Sequence, residues 1–237
     1  MKVLTKKSQI AASRRALREK RISLTEPAVV KMLRSCGLVQ RIALGDQLKS
    51  WDVLESIEFI AGNLKRSDPI LDIGAYASEI IVALHKLGFK NLAGADLNPS
   101  LSKMPFNSEI SYKITDFMDT GFPPNSFKAV TAVSVIEHGY QGERLFAEVS
   151  RLLMPGGYFV ASFDYWPEKI DTSAVTVFGM DWTIFSRNEI ASMIELAASF
   201  ELQADCEFQP VCVERPIKYE GREYTFGWIV FRKIAKS

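Results

Sequence analysis

The stretch ILDIGAYAS, residues 70–78, combines an acid and a glycine at the junction of two patterns. Its apolar start has the length of a short buried strand, and the residues over about 78–87 have the spacing of a helix. A strand that passes into a helix through an acid and a glycine lets a ligand approach the backbone, where the helix N-terminus offers free N–H groups. This motif alone is weak, so its meaning depends on the neighbouring segments.

Short apolar runs continue to alternate with helical patterns after this stretch. The runs are residues 92–96, 111–115, 128–135 and 158–163, and helices are predicted over 143–153 and from residue 186 onward. Such alternation predicts a doubly wound α/β fold, in which a mostly parallel sheet carries helices on both faces.

The C-terminal region breaks this alternation. Strand-like residues 201–207 and 224–232 are joined by a segment without a helical pattern, which holds Pro210 and Pro216. A parallel return needs a crossover of about a dozen residues, usually a helix. We therefore expect a seven-stranded sheet whose last strand is antiparallel.

The residues in front of the sheet are predicted to form a helical extension, residues 1–65, before a Rossmann-like domain over 66–237. Helices are expected over 25–37 and 50–64. Residues 1–21 carry eight Lys/Arg and one acid, a charge of +7, whereas the remaining residues carry a charge of −6. We interpret this basic arm as a solvated helix or frayed terminus. Nucleic acid, a phosphate-bearing substrate or a second subunit are alternative partners, and the absence of interleaved aromatic residues disfavours nucleic acid.

The composition limits the class of protein. Apolar residues make up 47% and charged residues 24% of the 237 residues, which is typical of a globular chain, and no apolar run reaches the roughly 18 residues of a membrane span. The cysteines Cys36, Cys206 and Cys212 form no CxxC pair, and the chain has two histidines, so no metal site is expected. We interpret the cysteines as core thiols and predict a cytoplasmic protein.

Acids end three successive predicted strands, which is more specific than any one of them. Asp96 follows Asp72 by 24 residues and is placed to accept both hydroxyls of a ribose. Asp116 follows the third strand and could accept from an adenine amino group, with Phe117 against the ring. Each acid also has a purely structural interpretation as a turn or cap residue.

With the further segments FPPNSF (122–127), SVIEH (134–138) and LLMPGG (152–157), the sequence resembles the Rossmann-like class I S-adenosylmethionine-dependent methyltransferases over about residues 66–232. The resemblance implies S-adenosylmethionine as cofactor and a small-molecule methyl acceptor. It places Asp72 and Gly74 by the methionine part, Asp96 at the ribose, Asp116 at the adenine and Ser134 at the methionine amino group. Ala75, Tyr76, Leu97 and Phe117 complete the predicted cofactor-binding set.

One departure from the family concerns the loop after Gly74. The family usually has glycines two and four residues further on, where this chain has Tyr76 and Ser78. The missing glycines often supply positive φ or close backbone approach. Two interpretations follow: the loop runs differently and still binds the cofactor, with Ser78 capping the next helix, or the pocket is degenerate and binds nothing.

Candidates for catalysis lie after the fourth and fifth strands, where ligands bind in such sheets. His138 is the first candidate for a general base because the usual pKa of histidine is near neutrality, and Asp164 is the second. A packing role for Glu137-His138 is the alternative. The aromatic-rich segment 164–185 would form an acceptor pocket for a sugar or other polar metabolite, or would simply pack Trp166 and Trp182 onto the body.

Four functions remain in competition. A small-molecule methyltransferase leads. An RNA methyltransferase using the basic arm is disfavoured because residues 137–140 read EHGY, without the Asn/Asp-Pro-Pro-Tyr type of motif. A nonenzymatic scaffold with a decayed pocket would explain Tyr76 and Ser78. A nicotinamide-dependent oxidoreductase is disfavoured by the missing G-x-G-x-x-G motif.

Overall fold

The computed structural model describes residues 1–39, 42–205 and 214–234. The predicted alternation of strands and helices is present from residue 70 onward. The strands are β1 (Lys2–Val3), β2 (Ile70–Ile73), β3 (Leu92–Asp96), β4 (Ser111–Ile114), β5 (Phe127–Val133), β6 (Leu153–Tyr165), β7 (Thr176–Val177), β8 (Met180–Asp181), β9 (Leu202–Ala204), β10 (Ile217–Tyr219) and β11 (Arg222–Lys233). The helices are α1 (Lys7–Glu19), α2 (Ala28–Ser35), α3 (Ser50–Asn63), α4 (Ile80–Lys86), α5 (Gly142–Leu152) and α6 (Arg187–Ser199), with a short 3₁₀ turn over Pro99–Lys103.

The main sheet has the order β1-β11-β6-β5-β2-β3-β4, and β9 and β10 also pair with β11. The pairs from β4 to β6 are parallel, whereas β11 runs antiparallel to β6 and to β9. The predicted fold class and the antiparallel last strand are therefore confirmed. Within the described ranges, two short strands, β1 and β10, extend the expected seven to nine.

Burial on both faces explains why the central strands are apolar throughout. All four residues of β2 are buried, and most of β5 and β6 are too. One face of the sheet packs against a core that includes residues of α1, α3 and α4, and the other packs against α5 and α6. Each fully buried Leu, Ile or Val contributes about 1.5–3 kcal/mol. This packing fixes the parallel strand ends at one common edge.

The basic arm differs from the expectation of a solvated or frayed terminus. It forms α1, whose residues Ile10, Ser13, Arg14 and Leu17 are buried, and α1 packs against α3. Its other cations, such as Arg15 and Arg18, stay exposed. An amphipathic helix with a core-facing stripe buries that stripe wherever the body offers a matching face, and α3 offers one.

The structure also bears on the predictions for the cysteines and for membrane-spanning segments. Cys36 is exposed, so its interpretation as a core thiol is wrong; it follows α2, a helix without a buried residue. Cys206, Cys212 and Pro210 lie outside the described residues. In the ranges that the structure covers, no helix combines the length and apolar character needed to cross a membrane.

Candidate functional site

The carboxyl ends of the parallel strands surround a cavity of about 670 Å³. At one end, called here the loop end, the walls include Gly74, Tyr76, Asp96, Leu97 and Phe117. At the other, called the hairpin end because β7 and β8 form it in part, the walls include Lys49, His138, Phe178 and Met180. Ser134 lies in the wall at the end of β5.

Gly74 is required by the geometry of the loop end. Its φ is +71°, and a Cβ placed there would lie 2.3 Å from Cγ2 of Val135. Its backbone N–H donates to the carbonyl of Ala95 at 2.9 Å, which ties the loop to β3. No residue with a side chain fits this position without movement of Val135.

The loop after Gly74 accommodates Tyr76 by placing its left-handed residue elsewhere. Ala77, with φ 60°, takes the positive φ, and Tyr76 does not. Ser78 Oγ accepts a hydrogen bond from the Ile80 N–H at 3.2 Å, but the N-cap residue of α4 is Glu79, one residue later than the expected Ser78. The missing glycines therefore do not close the loop end.

Asp96 holds this loop in place from the end of β3. Its Oδ2 accepts from the Tyr76 N–H at 2.9 Å, and its Oδ1 accepts from the Asn98 N–H at 2.8 Å. A carboxylate oxygen has more than one acceptor site, so each oxygen retains capacity toward the cavity. Asp96 thus serves the turn and also faces the cavity.

Asp72 and Ala75 lie beneath the cavity wall and do not form it. Asp72 Oδ1 accepts from Thr131 Oγ1 at 2.6 Å, and the Asp72 side chain is buried. Burial raises the pKa of Asp72 to about 7. Ala75 is fully buried, packed so closely that a Cβ on Gly94 would lie 2.8 Å from its Cβ.

Asp116 is turned away from the cavity, whereas its neighbour lines it. One Asp116 oxygen accepts from the Met118 N–H at 2.8 Å, and the other pairs with Arg144 at 3.0 Å on the surface. Phe117 is buried and lies in the cavity wall. Of the two predicted adenine contacts, the structure brings Phe117 to the cavity and gives Asp116 the alternative role in a turn.

Ser134 has a strained backbone where β5 reaches the cavity. Its φ is 51°, and its N–H donates to the Ser162 carbonyl at 3.1 Å. Non-glycine residues held in the left-handed region cluster at functional sites. Its Oγ donates to Asp52 Oδ2 at 3.2 Å, and the Ser162 hydroxyl donates to the same oxygen at 2.8 Å.

His138 lies in the wall at the hairpin end. Its Nδ1 is buried and has no hydrogen-bond partner in the described part of the chain, and its ring meets Phe178 edge-on at 5.3 Å between centroids. Burial, aided by the charge of Lys49, lowers the pKa of His138 to about 4. The imidazole is therefore neutral near pH 7, with one ring nitrogen that can donate a hydrogen bond and one that can accept.

Asp164 is not a cavity residue. Its Oδ2 accepts from Trp182 Nε1 at 2.7 Å, and its side chain is buried. Burial raises its pKa to about 7, and burial together with Asp164 raises the pKa of Glu137 well above its usual value. The expected contact of Asp164 with an acceptor is not supported, because the buried indole of Trp182 occupies its carboxylate.

The sequence reasoning missed the contribution of the N-terminal extension. Gly45, Asp46 and Lys49 line the cavity, and Asp52 supports Ser134 from α3. Burial raises the pKa of Asp52 to about 6. In the sequence, the only indication was an acid, Asp52, in the first turn of a helix with an apolar stripe. That pattern does not show which strand the acid contacts.

Comparison with known proteins agrees with this geometry. Residues 71–161 match the family model described as a methyltransferase domain, which confirms the predicted resemblance for that part of the chain. A sterol 24-C-methyltransferase of Yarrowia lipolytica is 31% identical over 91 residues, which is 38% of this chain and 23% of that relative. The chain thus spans about a quarter of the length of the curated relatives that it matches.

Two solved structures share the fold at low identity. A putative sarcosine dimethylglycine methyltransferase from Galdieria sulphuraria is 16% identical, with a TM-score of 0.57, over 86% of this chain and 97% of that one. The 1,6-didemethyltoxoflavin-N1-methyltransferase of Burkholderia thailandensis, solved with bound 1,6-didemethyltoxoflavin and S-adenosylhomocysteine, is also 16% identical. Its TM-score is 0.56, and the match covers 78% of this chain and 79% of that one.

Proposed function

We propose that this chain, whose residues 71–161 match the family model described as a methyltransferase domain, is an S-adenosylmethionine-dependent methyltransferase that acts on a small molecule. The observation that carries the proposal is the single cavity that joins the loop end to the hairpin end. Its volume of about 670 Å³ is that of a small-molecule pocket, and it lies at the carboxyl edge of a parallel sheet.

The residues of the loop end fit the cofactor. Gly74 lines the cavity, and Asp96 keeps acceptor capacity for ribose hydroxyls. Phe117 would offer an apolar wall for the adenine, and Ser134, which also lines the cavity, would contact the methionine amino group as the resemblance implies. When bound, the cofactor supplies a methyl group on a sulfonium sulfur that is already activated for in-line displacement. The chain's own task is to orient the acceptor and exclude water.

His138 is the residue best placed to orient the acceptor. It lines the cavity and is neutral at pH 7, so a ring nitrogen that faces the cavity can accept a hydrogen bond from an acceptor O–H or N–H. This contact would turn a lone pair of the nucleophile toward the loop end. Asp164 would not contact the acceptor. It would influence the site only indirectly, through its hydrogen bond to Trp182 and its charge interaction with the buried Glu137.

The acceptor end favours a molecule that combines an apolar surface with one polar nucleophilic group. Phe178 and Met180 provide apolar walls, and Lys49 and His138 provide polar contacts. The Yarrowia relative acts on a sterol and the Burkholderia enzyme on a didemethyltoxoflavin, by their names, and both substrates have such surfaces. A sugar is the alternative, and it would use the same polar contacts. We also propose that residues 1–65 form an extension in front of the domain and that the protein is cytoplasmic.

A turnover assay with a labelled methyl donor tests the proposal. Native chain is incubated with panels of apolar heterocycles, sterols, amines, sugars and RNA, and transfer of label is measured. Label on any small molecule, at a rate above that of the His138→Ala variant, supports the proposal. Transfer to RNA alone, or donor binding without transfer across all panels, would favour the competing functions.

A further inference from the structure

One buried ion pair connects the N-terminal arm to the loop end of the cavity. Arg14 of α1 is 1% exposed, and Glu79, directly before α4, is 3% exposed. Arg14 Nη1 donates to both carboxylate oxygens of Glu79, at 2.7 and 2.9 Å. Glu79 follows Ser78, the last residue of the loop that begins at Gly74.

The same two side chains hold the segment over residues 42–49, called here the strap. Arg14 Nη2 donates to the Asp46 carbonyl at 2.8 Å, and Arg14 Nε donates to Ser50 Oγ, just after the strap, at 2.9 Å. Glu79 Oε1 also accepts from the Leu24 N–H at 2.6 Å. Arg14 and Glu79 together therefore bind three separate parts of the N-terminal region, which are Leu24, the strap at Asp46, and Ser50.

Gly45 lets the strap approach this pair. Its φ is +74°, and a Cβ at this position would lie 2.7 Å from Glu79 Oε2. Its N–H points to the Ala77 carbonyl at 3.4 Å, which places the strap against the loop. Gly37 has the same φ of +74° with nothing within 4 Å of a Cβ, so it shares the backbone conformation without the contact.

The strap is a wall of the cavity. Gly45 and Asp46 line it, and so does Lys49, whose charge acts on His138 at the hairpin end. A buried ion pair often stabilises a protein no more than apolar residues of similar volume, so stability alone does not account for this one.

We propose that Arg14 and Glu79 are positioning residues, which hold the strap on the loop so that the cavity has its N-terminal wall. The inference rests on the proposed function, since the cavity is the same site. The pair makes one unit of α1, the strap and the loop. When the pair is lost, the strap leaves the loop, the cavity opens to water and a ligand at the loop end dissociates faster.

The matched glycines give the sharpest test. We expect Gly45→Ala to weaken binding of S-adenosylhomocysteine by about tenfold or more and to speed hydrogen exchange over residues 42–49 in the free protein. Gly37→Ala is expected to leave both unchanged. Binding by calorimetric titration and exchange by mass spectrometry would be measured on full-length chains. Equal affinities and equal exchange in the two variants would overturn the proposal.

A double variant separates positioning from folding. Arg14→Met with Glu79→Leu removes both charges together, so no unpaired charge is left buried. We expect unchanged far-UV circular dichroism, faster exchange over 42–49 and the same loss of affinity as Gly45→Ala. A native-like strap exchange in this variant would contradict the positioning role. If the native chain bound no S-adenosylhomocysteine, the proposed function would fail, whereas strap exchange would still decide whether the pair holds the strap.

Discussion

The two ends of the cavity are assembled in different ways. The loop end comes from residues 74–117, where consecutive strands deliver their ends to one edge of the sheet. The hairpin end brings together Lys49, His138 and Phe178, from three segments far apart in sequence. Local patterning therefore specifies the strand-end residues of the loop end, whereas the strap against that end and the whole hairpin end depend on how distant segments pack onto the sheet.

The largest expected effect lies at the loop end. Gly74→Ala puts a Cβ 2.3 Å from Val135 and forces a positive φ on alanine. We expect a loss of about 2–4 kcal/mol in the free energy of unfolding and at least about a hundredfold loss in S-adenosylhomocysteine affinity. Gly88→Ala, at φ +88° with open space, should cost only about 1 kcal/mol and leave binding intact. Denaturant titration and calorimetry would measure both, and similar losses in the two variants would mean that Gly74 is not special.

A variant at the hairpin end should separate turnover from cofactor binding. His138→Ala removes the imidazole from the cavity wall, and we expect turnover to fall by about a hundredfold while S-adenosylhomocysteine affinity changes by less than about twofold. His85→Ala, in α4 outside the cavity wall, is the control. Because the pKa of His138 is about 4, its protonation should not shape the rate between pH 6 and 8. A large loss of cofactor affinity in His138→Ala would show that cofactor binding and turnover do not depend on separate ends of the cavity.

The buried Asp72 should make stability depend on pH. Its folded pKa of about 7 lies above the ordinary value of 3.8, so the folded state binds more protons and stability falls as pH rises through 7. From pH 5 to pH 8 this amounts to about 2–3 kcal/mol. In Asp72→Asn the decline should be smaller by about this amount, as measured by urea denaturation at both pH values, and the raised pKa values of Asp52, Asp164 and Glu137 should account for the decline that remains. An identical pH dependence in the variant and the native chain would show that Asp72 does not titrate in this range.

The smallest effect is expected at Tyr76. Because Ala77 takes the positive φ, glycine at position 76 adds nothing that the loop needs. Tyr76→Gly should keep its fold by circular dichroism and its S-adenosylhomocysteine affinity within about fivefold. A gain of a hundredfold would mean that the tyrosine obstructs the loop end, and global unfolding would make it a core residue.

The sequence predicted the candidate site best where the site residues lie at the ends of strands. The sheet, its antiparallel last strand and the cavity positions of Gly74, Asp96 and Phe117 follow from strand–helix alternation and from acids that end strands. The role of Asp116 could not be predicted in the same way, because its side chain forms an ion pair with Arg144 of α5.

The residues that sequence reasoning misplaced depend on packing between distant segments. Arg14 is an ordinary basic residue in sequence, and only the fold brings it against Glu79. Asp164 was expected just after its strand but lies inside β6, and Trp182, which follows β8, donates to its carboxylate. Neither partner is encoded by spacing along the chain.

The most direct test of the central claim is a calorimetric titration of the native chain and Asp96→Ala with S-adenosylmethionine and S-adenosylhomocysteine. The account predicts micromolar binding by the native chain and at least about a tenfold loss in the variant, since Asp96 both faces the cavity and holds the Tyr76 N–H. No binding by the native chain at millimolar ligand, or equal affinity in the variant, would contradict it.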